Sequence, residues 1–523
     1  MKINFSVISE RLADTFGERE ALVNIERNRR YTFREFHRLT NRIVNMMRDK
    51  LDLRRGDYAV MIVDNDNASL MHWFTAMKGE APLCYTNYRD SIEDHTYQVD
   101  TVNAKVVFIE ADLLESHYDM LRERQITIVV MDPPEKDYPG VHYFWTLLED
   151  VDDSNPNVIH DDRNDIVVMR FTGGTTGRGK CAMYSADNIL ACRDSFCALP
   201  DPMWSPQSRF LHLAPITHGS GMMVGPTLFK GACTVTMNLP DLEAWCDNIA
   251  AEKITMGFAV PTLLYRLLDM DIAARKRLDT LETMLYGAAP MSPSKLAELQ
   301  AAFGNIFVQA YGSTEHLGAA LSMSKADHLV DGDDSHLASA GRPVPGVEVE
   351  IMDDDGTAVA RGETGEIWLR SRAIVLGYFG SPEQTAAEFQ DGFWKSGDMG
   401  RIDEHGFFHI VDRKKDMIIS GGFNIYANEV EAALNSHAAV LMSAVVGIPH
   451  EEWGEAVHAE VMLKDRASVS PEELIEYVRT QLGGYKTPKT INVVSELPVS
   501  VVGKVLRRKV RQKYWDQTSR KVG

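Results

Sequence analysis

Cysteine is scarce in this sequence: six in 523 residues (Cys84, Cys181, Cys192, Cys197, Cys233, Cys246), none in a metal-like spacing with histidine. Free thiols are expected, which excludes a disulfide framework and a zinc site. Basic charge is also short. Fifty-five Lys and Arg stand against 75 Asp and Glu, a formal net charge of −20, and without clustered cations a sequence-independent grip on nucleic acid is excluded. No segment approaches the roughly 18 apolar residues of a membrane span, and the opening "MKINFSVISERLADTFGERE" has no signal-peptide core. A cytoplasmic protein without an integral membrane segment is expected. What remains is ordinary globular composition, 44% hydrophobic and 25% charged, at a length that calls for two or more domains.

Up to about residue 325, short apolar runs alternate with amphipathic segments. "DIVVMRFT" (165–172) and "ITMGFAV" (254–260) read as buried strands, and Pro261 opens a helix after the second. In "LETMLYGAAPMSPSKLAELQAAFG" (281–304) a strand meets a small-residue turn, Ser292 is placed to cap a helix, Pro293 opens it and Gly304 ends it. From about 331 to 412 the pattern becomes alternating apolar and polar residues around Asp-Gly and His-Gly turns, a small β-rich, barrel-like subdomain. After "DRKKD" (412–416), helix and strand signals mix again and a basic tail closes the chain. The expected fold is therefore α/β: an N-terminal domain (1–412) of two α/β subdomains plus the β-rich one, and a smaller α+β domain (417–523).

"FTGGTTGRGK" (171–180) carries G-x-x-x-x-G-K from Gly174 to Lys180. A Walker phosphate loop would next place Ser or Thr at the start of a helix. Here Cys181 follows, then the short apolar "AMYS", and the better helix cap is Ser185. The stretch reads as a turn between two strands. Its hydroxyls (Thr172, Thr175, Thr176), glycines and Lys180 suit closure over a polyphosphate. Taken alone, it reads equally well as a surface turn.

Further stretches follow in order: "PITHGSG" (215–221), "YGAAP" (286–290), "YGSTE" (311–315), "SGD" (396–398), "DRKKDMIISGGFNIYANEVE" (412–431), "GIPHEEWGEAV" (447–457) and "LPVSVVGKVLRR" (497–508). With the glycine-rich loop, this series resembles the adenylate-forming enzymes: acyl-CoA ligases, luciferases and peptide-synthetase adenylation domains. The likeness covers most of the chain from about residue 170. The loop departs from the family's usual [YF]-T-S-G-T-T-G-x-P-K-G at Gly173, Gly179 and Cys181.

The resemblance implies ATP-dependent activation of a carboxylate, with acyl-AMP and pyrophosphate formed first and CoA attacking second. It implies ATP, Mg²⁺ and CoA as partners beside a small carboxylic acid; a homodimer is compatible with it. Lys504 matches the catalytic lysine between carboxylate and α-phosphate, Thr314 an α-phosphate donor, and Glu315, with Thr176, the Mg²⁺ ligands. Thr172, Gly174, Thr175, Thr176, Lys180 and Gly312 match the phosphate contacts. Gly287, Ala288, Ala289 and Tyr311 match the adenine site, with Asp398 on the ribose hydroxyls and Arg413 beside it. Lys415 falls at the family's hinge (413–416), about which the C-terminal domain turns between half-reactions. Gly421, Gly422 and Phe423 would border the CoA channel. Arg507, Arg508 and Lys509 read simply as charges of the basic tail.

His218, Met222, Met223, Phe258, Gly318, Ala319 and Ala320 are expected to border the acid, with His218 also a candidate catalytic residue. Peptide-synthetase adenylation domains usually carry an Asp where this chain has Gly219, so an acid without an amino group is expected, medium-to-long, aryl or polycyclic. A stand-alone adenylation enzyme loading a carrier protein is the alternative. No carrier domain is legible, since "LGGYK" (482–486) lacks the attachment serine.

Overall fold

The computed structural model describes residues 1–172, 179–238, 241–270, 276–329, 335–500 and 504–515. The chain divides into two compact units: Met1–Phe258 with Gly312–Ala319 and Arg370–Trp394, and Ala259–Tyr311 with Ala320–Leu369 and Lys395–Gly523.

The first unit holds a seven-stranded sheet in the order Cys181–Ser185, Ile166–Phe171, Leu83–Tyr85, Ala59–Ile62, Val106–Ile109, Thr127–Val130, Val141–Tyr143. Its strands are parallel except for the antiparallel edge strand Cys181–Ser185. Ala59–Ile62, Leu83–Tyr85 and Val106–Ile109 are buried at every residue, which is why they read as unbroken apolar runs. Beside Arg209–His212, Cys233–Thr236 runs parallel, and Glu20–Asn24 pairs parallel to that strand in turn.

The edge pair fixes the two ends of the glycine-rich stretch. Phe171 pairs with Cys181, and the Thr172 N–H donates to the Lys180 carbonyl at 2.8 Å. The loop therefore joins two antiparallel strands, as its sequence suggests, and the helix Ala186–Cys197 begins only after Ser185, whose hydroxyl and Asn188 form a reciprocal cap. A Cβ at Gly179 would meet the Thr172 carbonyl oxygen at 2.4 Å. This close approach accounts locally for glycine where the family usually carries proline.

In the second unit Thr283–Gly287 and Phe307–Tyr311 are parallel neighbours, and Leu321–Met323 returns antiparallel. The helix Pro293–Phe303 starts at Pro293 and ends at Gly304 (φ 78°), as expected. Ser292 does not cap it with its side chain; the hydroxyl lies 2.9 Å from that of Ser294. The β-rich stretch is an open sheet in which Phe408–Arg413 returns on Phe393–Ile402 through the Asp403–Gly406 turn. At the C-terminal end, Val440–His450 and Gly454–Leu463 form a long antiparallel hairpin. The helices Ala427–Asn435 and Pro471–Leu482 share an aliphatic core with it that includes Val430, Leu434, Val445, Val461, Leu474 and Val478. Among the described residues no helix is long and apolar enough to cross a membrane, and all six cysteines are free thiols.

Candidate active site

In the first unit the strands that flank the loop deliver Lys180 into a polar cluster. Its ammonium donates to both Glu388 oxygens, at 2.9 and 2.7 Å, and to the Tyr378 hydroxyl at 2.9 Å. Glu315 Oε1 lies 3.7 Å from the same ammonium and 2.9 Å from the Tyr378 oxygen. Burial first, then the two carboxylates, push the Tyr378 phenol far above its ordinary range, so it stays a neutral donor. Thr172 Oγ1 accepts the Lys180 N–H at 3.0 Å, and the Tyr97 hydroxyl donates to the Gly179 carbonyl at 3.3 Å. Gly174, Thr175 and Thr176 lie outside the described residues.

The segment from Gly312 to Ala319 is a tight turn rather than an open loop. A Cβ at Gly312 would meet the Gly318 carbonyl oxygen at 2.1 Å, so only glycine permits the approach. The turn is held from outside: Val375 N–H donates to the Glu315 carbonyl at 3.0 Å, Leu317 N–H to Ala373 at 3.0 Å, and the Tyr184 hydroxyl to the Thr314 carbonyl at 2.8 Å. Glu315 is thereby fixed at its backbone and 8% exposed, a hard oxygen donor next to a cation.

In the second unit the Tyr311 hydroxyl donates to Asp398 Oδ2 at 2.6 Å, and Arg413 Nε lies 2.9 Å from Oδ1. Both oxygens of the expected ribose acceptor are thus already oriented, with lone pairs to spare. Lys504 belongs to the same neighbourhood. Burial above all, then Arg413, bring its ammonium down to about 8, while Asp398 acts the other way. A group that must be cationic to work loses its charge as pH rises through that value. The kcat/KM for ATP, which reports the free enzyme, is expected to fall above about pH 8 in the adenylating half-reaction, and a flat profile to pH 10 would exclude Lys504 as the required cation.

Gly287 stands where a Cβ would meet the Ala310 carbonyl oxygen at 2.1 Å. The next residue, Ala288, is exposed and left-handed at φ 66°, and Ala289 is half-buried. A non-glycine residue in that region is strained by roughly 1 kcal/mol or more, which marks the "GAA" turn as a shaped surface rather than a plain connection. Gly421 (φ 58°) and Gly422 (φ 83°) make the tight turn between Ile418–Ser420 and Phe423–Ile425, and Phe423 is 57% exposed beside Tyr485. Lys415 sits in the turn closed by Asp416 N–H to the Arg413 carbonyl at 2.9 Å.

The residues expected around the acid divide. A Cβ at Gly219 would find only Phe258 Cε1, 4.0 Å away, and His218 and Met222 are partly exposed nearby in sequence; these border open space. Gly318 and Ala319 instead pack against the helix Ala186–Cys197: a Cβ at Gly318 would meet Ser195 Oγ at 2.5 Å, and the Ala319 N–H donates to that hydroxyl at 3.2 Å. Ala319 is fully buried and Met223 nearly so.

Three residues of these clusters escape sequence reasoning. Tyr378 and Glu388 lie in "LGYFGSPEQTAAEF" (376–389), where a tyrosine in an apolar run and a glutamate on a solvated helix carry no separate signal. Arg507 is not a loose tail charge. It donates to Glu431 Oε1 at 2.8 Å and Asp412 Oδ1 at 2.9 Å and also reaches Asn428. The fully buried Asp412 in turn accepts the backbone N–H groups of Arg413 and Asn428.

Comparison with known proteins identifies the family. Residues 9–379 match the AMP-binding enzyme family and residues 429–504 its C-terminal domain. The medium/long-chain-fatty-acid–CoA ligase of Mycobacterium tuberculosis is 36% identical over 68% of this chain and 63% of its own length. The feruloyl-CoA synthase of an Amycolatopsis species is 31% identical over 92% of this chain and 94% of its own. Among solved structures, ATP-bound MatB from Rhodopseudomonas palustris superposes with a TM-score of 0.86 at 25% identity, covering 98% of this chain and 99% of that one. The chain is an enzyme of the AMP-binding, adenylate-forming family.

Proposed function

We propose that this enzyme is an ATP-dependent carboxylate–CoA ligase of medium-to-large apolar acids, forming an acyl-adenylate and then an acyl-CoA thioester, with AMP and pyrophosphate released. The observation that carries the reading is Lys504, a lysine from the far end of the chain whose ammonium is brought down to about 8 by burial and Arg413, against Asp398. Lys504 stabilises the charge gathered when the carboxylate attacks the α-phosphate. Asp398, oriented by Tyr311 and Arg413, takes the ribose hydroxyls; the turn Gly287–Ala289 and Tyr311 frame the adenine; Lys180 meets the distal phosphates. Glu315 provides the hard oxygen that Mg²⁺ requires, and Mg²⁺ when bound neutralises phosphate charge. Thr176, in the glycine-rich stretch, supplies a hydroxyl oxygen to the same ion.

Lys415 is the hinge of this reading, because Lys504 must leave before a thiol can reach the same carbonyl. Lys415→Pro is expected to spare ATP–pyrophosphate exchange and block thioester formation, since the ring fixes φ; survival of both steps would move the pivot elsewhere. Gly421 and Gly422 then let the pantetheine arm pass Phe423.

The acid is read from Gly219, Phe258, His218 and Met222. An amino acid would bring an ammonium group to a position with no carboxylate, at a cost of several kcal/mol if unpaired. Gly219→Phe fills the open space before Phe258 and is expected to raise KM for a large acid at least tenfold with little change in KM for ATP; equal changes would place the acid elsewhere. The deciding experiment is ATP–pyrophosphate exchange over aliphatic, aryl and polycyclic acids, acetate and amino acids, followed by CoA. Exchange supported by acetate or amino acids alone overturns the acid class. Adenylate discharged only by a phosphopantetheinylated carrier protein overturns CoA as acceptor.

A further inference from the structure

The pairing around Lys180 contains more than a phosphate-binding cation needs. An ammonium has three N–H donors, and here all three are directed to Glu388 and Tyr378, at 2.7, 2.9 and 2.9 Å. A carboxylate that grips a lysine with both oxygens presents the charge and geometry of a phosphate edge. Glu388 is the last residue of the helix Pro382–Glu388, which buries none of its residues. Its side chain is 28% exposed and that of Lys180 is 24% exposed. A displaced Glu388 therefore has water to turn into, and the exchange carries no large desolvation penalty.

We propose that Glu388 sets the affinity for the triphosphate: its carboxylate holds the Lys180 ammonium where a phosphate oxygen would, and ATP binds by exchanging with it. The inference rests on the reading of Lys180 as a phosphate-binding residue. The same exchange acts on Glu315 through Tyr378. That hydroxyl lies 2.6 Å from Glu388 Oε2 and 2.9 Å from Glu315 Oε1, but it owns a single proton and can serve one carboxylate at a time. The shorter contact assigns it to Glu388. When Glu388 leaves Lys180, the proton turns to Glu315 and fixes one of its oxygens, so that occupation of Lys180 and orientation of Glu315 are one event. Hydrogen bonds from Lys180 and Tyr378 hold the Glu388 carboxyl below its ordinary value against the opposing effect of burial, which keeps it ionised and competitive.

The test is calorimetric titration of MgATP, and of adenosine, into the full-length protein and the variants Glu388→Gln, Lys180→Met and the double variant. Gln keeps the shape and an acceptor for Tyr378 but removes the charge. Glu388→Gln is expected to tighten ATP by roughly threefold to tenfold, the scale of a partly exposed, two-pronged ion pair, and to leave adenosine unchanged. Lys180→Met is expected to weaken ATP, and adding Glu388→Gln to it to bring no further gain. Unchanged or weaker ATP binding in Glu388→Gln overturns the proposal. The same gain with and without Lys180 also overturns it, because Glu388 would then only repel phosphate at a distance. If Lys180→Met binds ATP as tightly as the parent, the reading of Lys180 itself falls, and the exchange with it. Glu388→Ala provides a second chemistry with the same expected sign.

Discussion

Lys504→Ala is expected to lower ATP–pyrophosphate exchange by roughly 10²–10³-fold, the scale of losing one preorganised charge from a transition state, while supplied acyl-adenylate is still converted to thioester by CoA. The asymmetry follows from charge. Attack of a carboxylate on the α-phosphate brings two anions together, and in the proposed reaction the ammonium offsets that repulsion. The second step is attack of a thiol on a neutral carbonyl carbon, with AMP as the leaving group, and it has no such need. The placement of Lys504 sharpens the expectation, since burial has lowered its ammonium to about 8 beside Asp398 and Arg413. A poorly hydrated cation interacts strongly with an anion that arrives. Lys504→Arg should restore charge at high pH but not the compact shape, and recover activity only in part. Equal loss of both half-reactions in the alanine variant would mean that Lys504 supports the fold, and the division of labour would be wrong.

How legible these sites were in the sequence depended on how local each signal is. Gly312, Gly287 and Gly179 stand where a Cβ would meet a carbonyl oxygen within 2.4 Å or less, and such positions show themselves as glycine whatever the distant surroundings. Ser185 announced the true helix start because a reciprocal cap is written within four residues. Ser292 stood in the same kind of place but does not cap; its hydroxyl pairs instead with that of Ser294. The pocket residues divided for another reason: small side chains create space only if nothing fills it, and the helix Ala186–Cys197 fills the space beside Gly318. Glu388 and Arg507 were illegible for a third. Lys180 and Glu388 are 208 positions apart, and Asp412 and Arg507 are 95 apart. A charge on a solvated-looking helix says nothing about a partner at that distance.

Arg507→Ala is expected to destabilise the second unit by about 3–5 kcal/mol, the cost of removing one member of a buried ionic group, as a lower urea midpoint of unfolding followed by circular dichroism. Without the guanidinium, Asp412 and Glu431 face each other uncompensated. Asp412 is fully buried, and burial already raises the Glu431 carboxyl, with Arg507 the chief opposing influence. Two facts make charge, rather than lost packing, the larger part. Asp412 and Glu431 each accept backbone N–H groups, from Arg413, Asn428 and Val445, so neither can turn away to water. Glu431→Gln keeps the acceptor for the Val445 N–H without the charge, and Asp412→Asn keeps one of its two acceptors, its NH2 facing the other N–H. The variant Arg507→Met with Asp412→Asn and Glu431→Gln is therefore expected to recover part of the loss, since neutral groups replace a buried ion cluster at little net cost while one backbone N–H loses its acceptor. If the triple variant is no more stable than Arg507→Ala, the arginine acts by its bulk. Arg507 ties Asp412, on one side of residues 413–416, to Asn428 and Glu431 on the other.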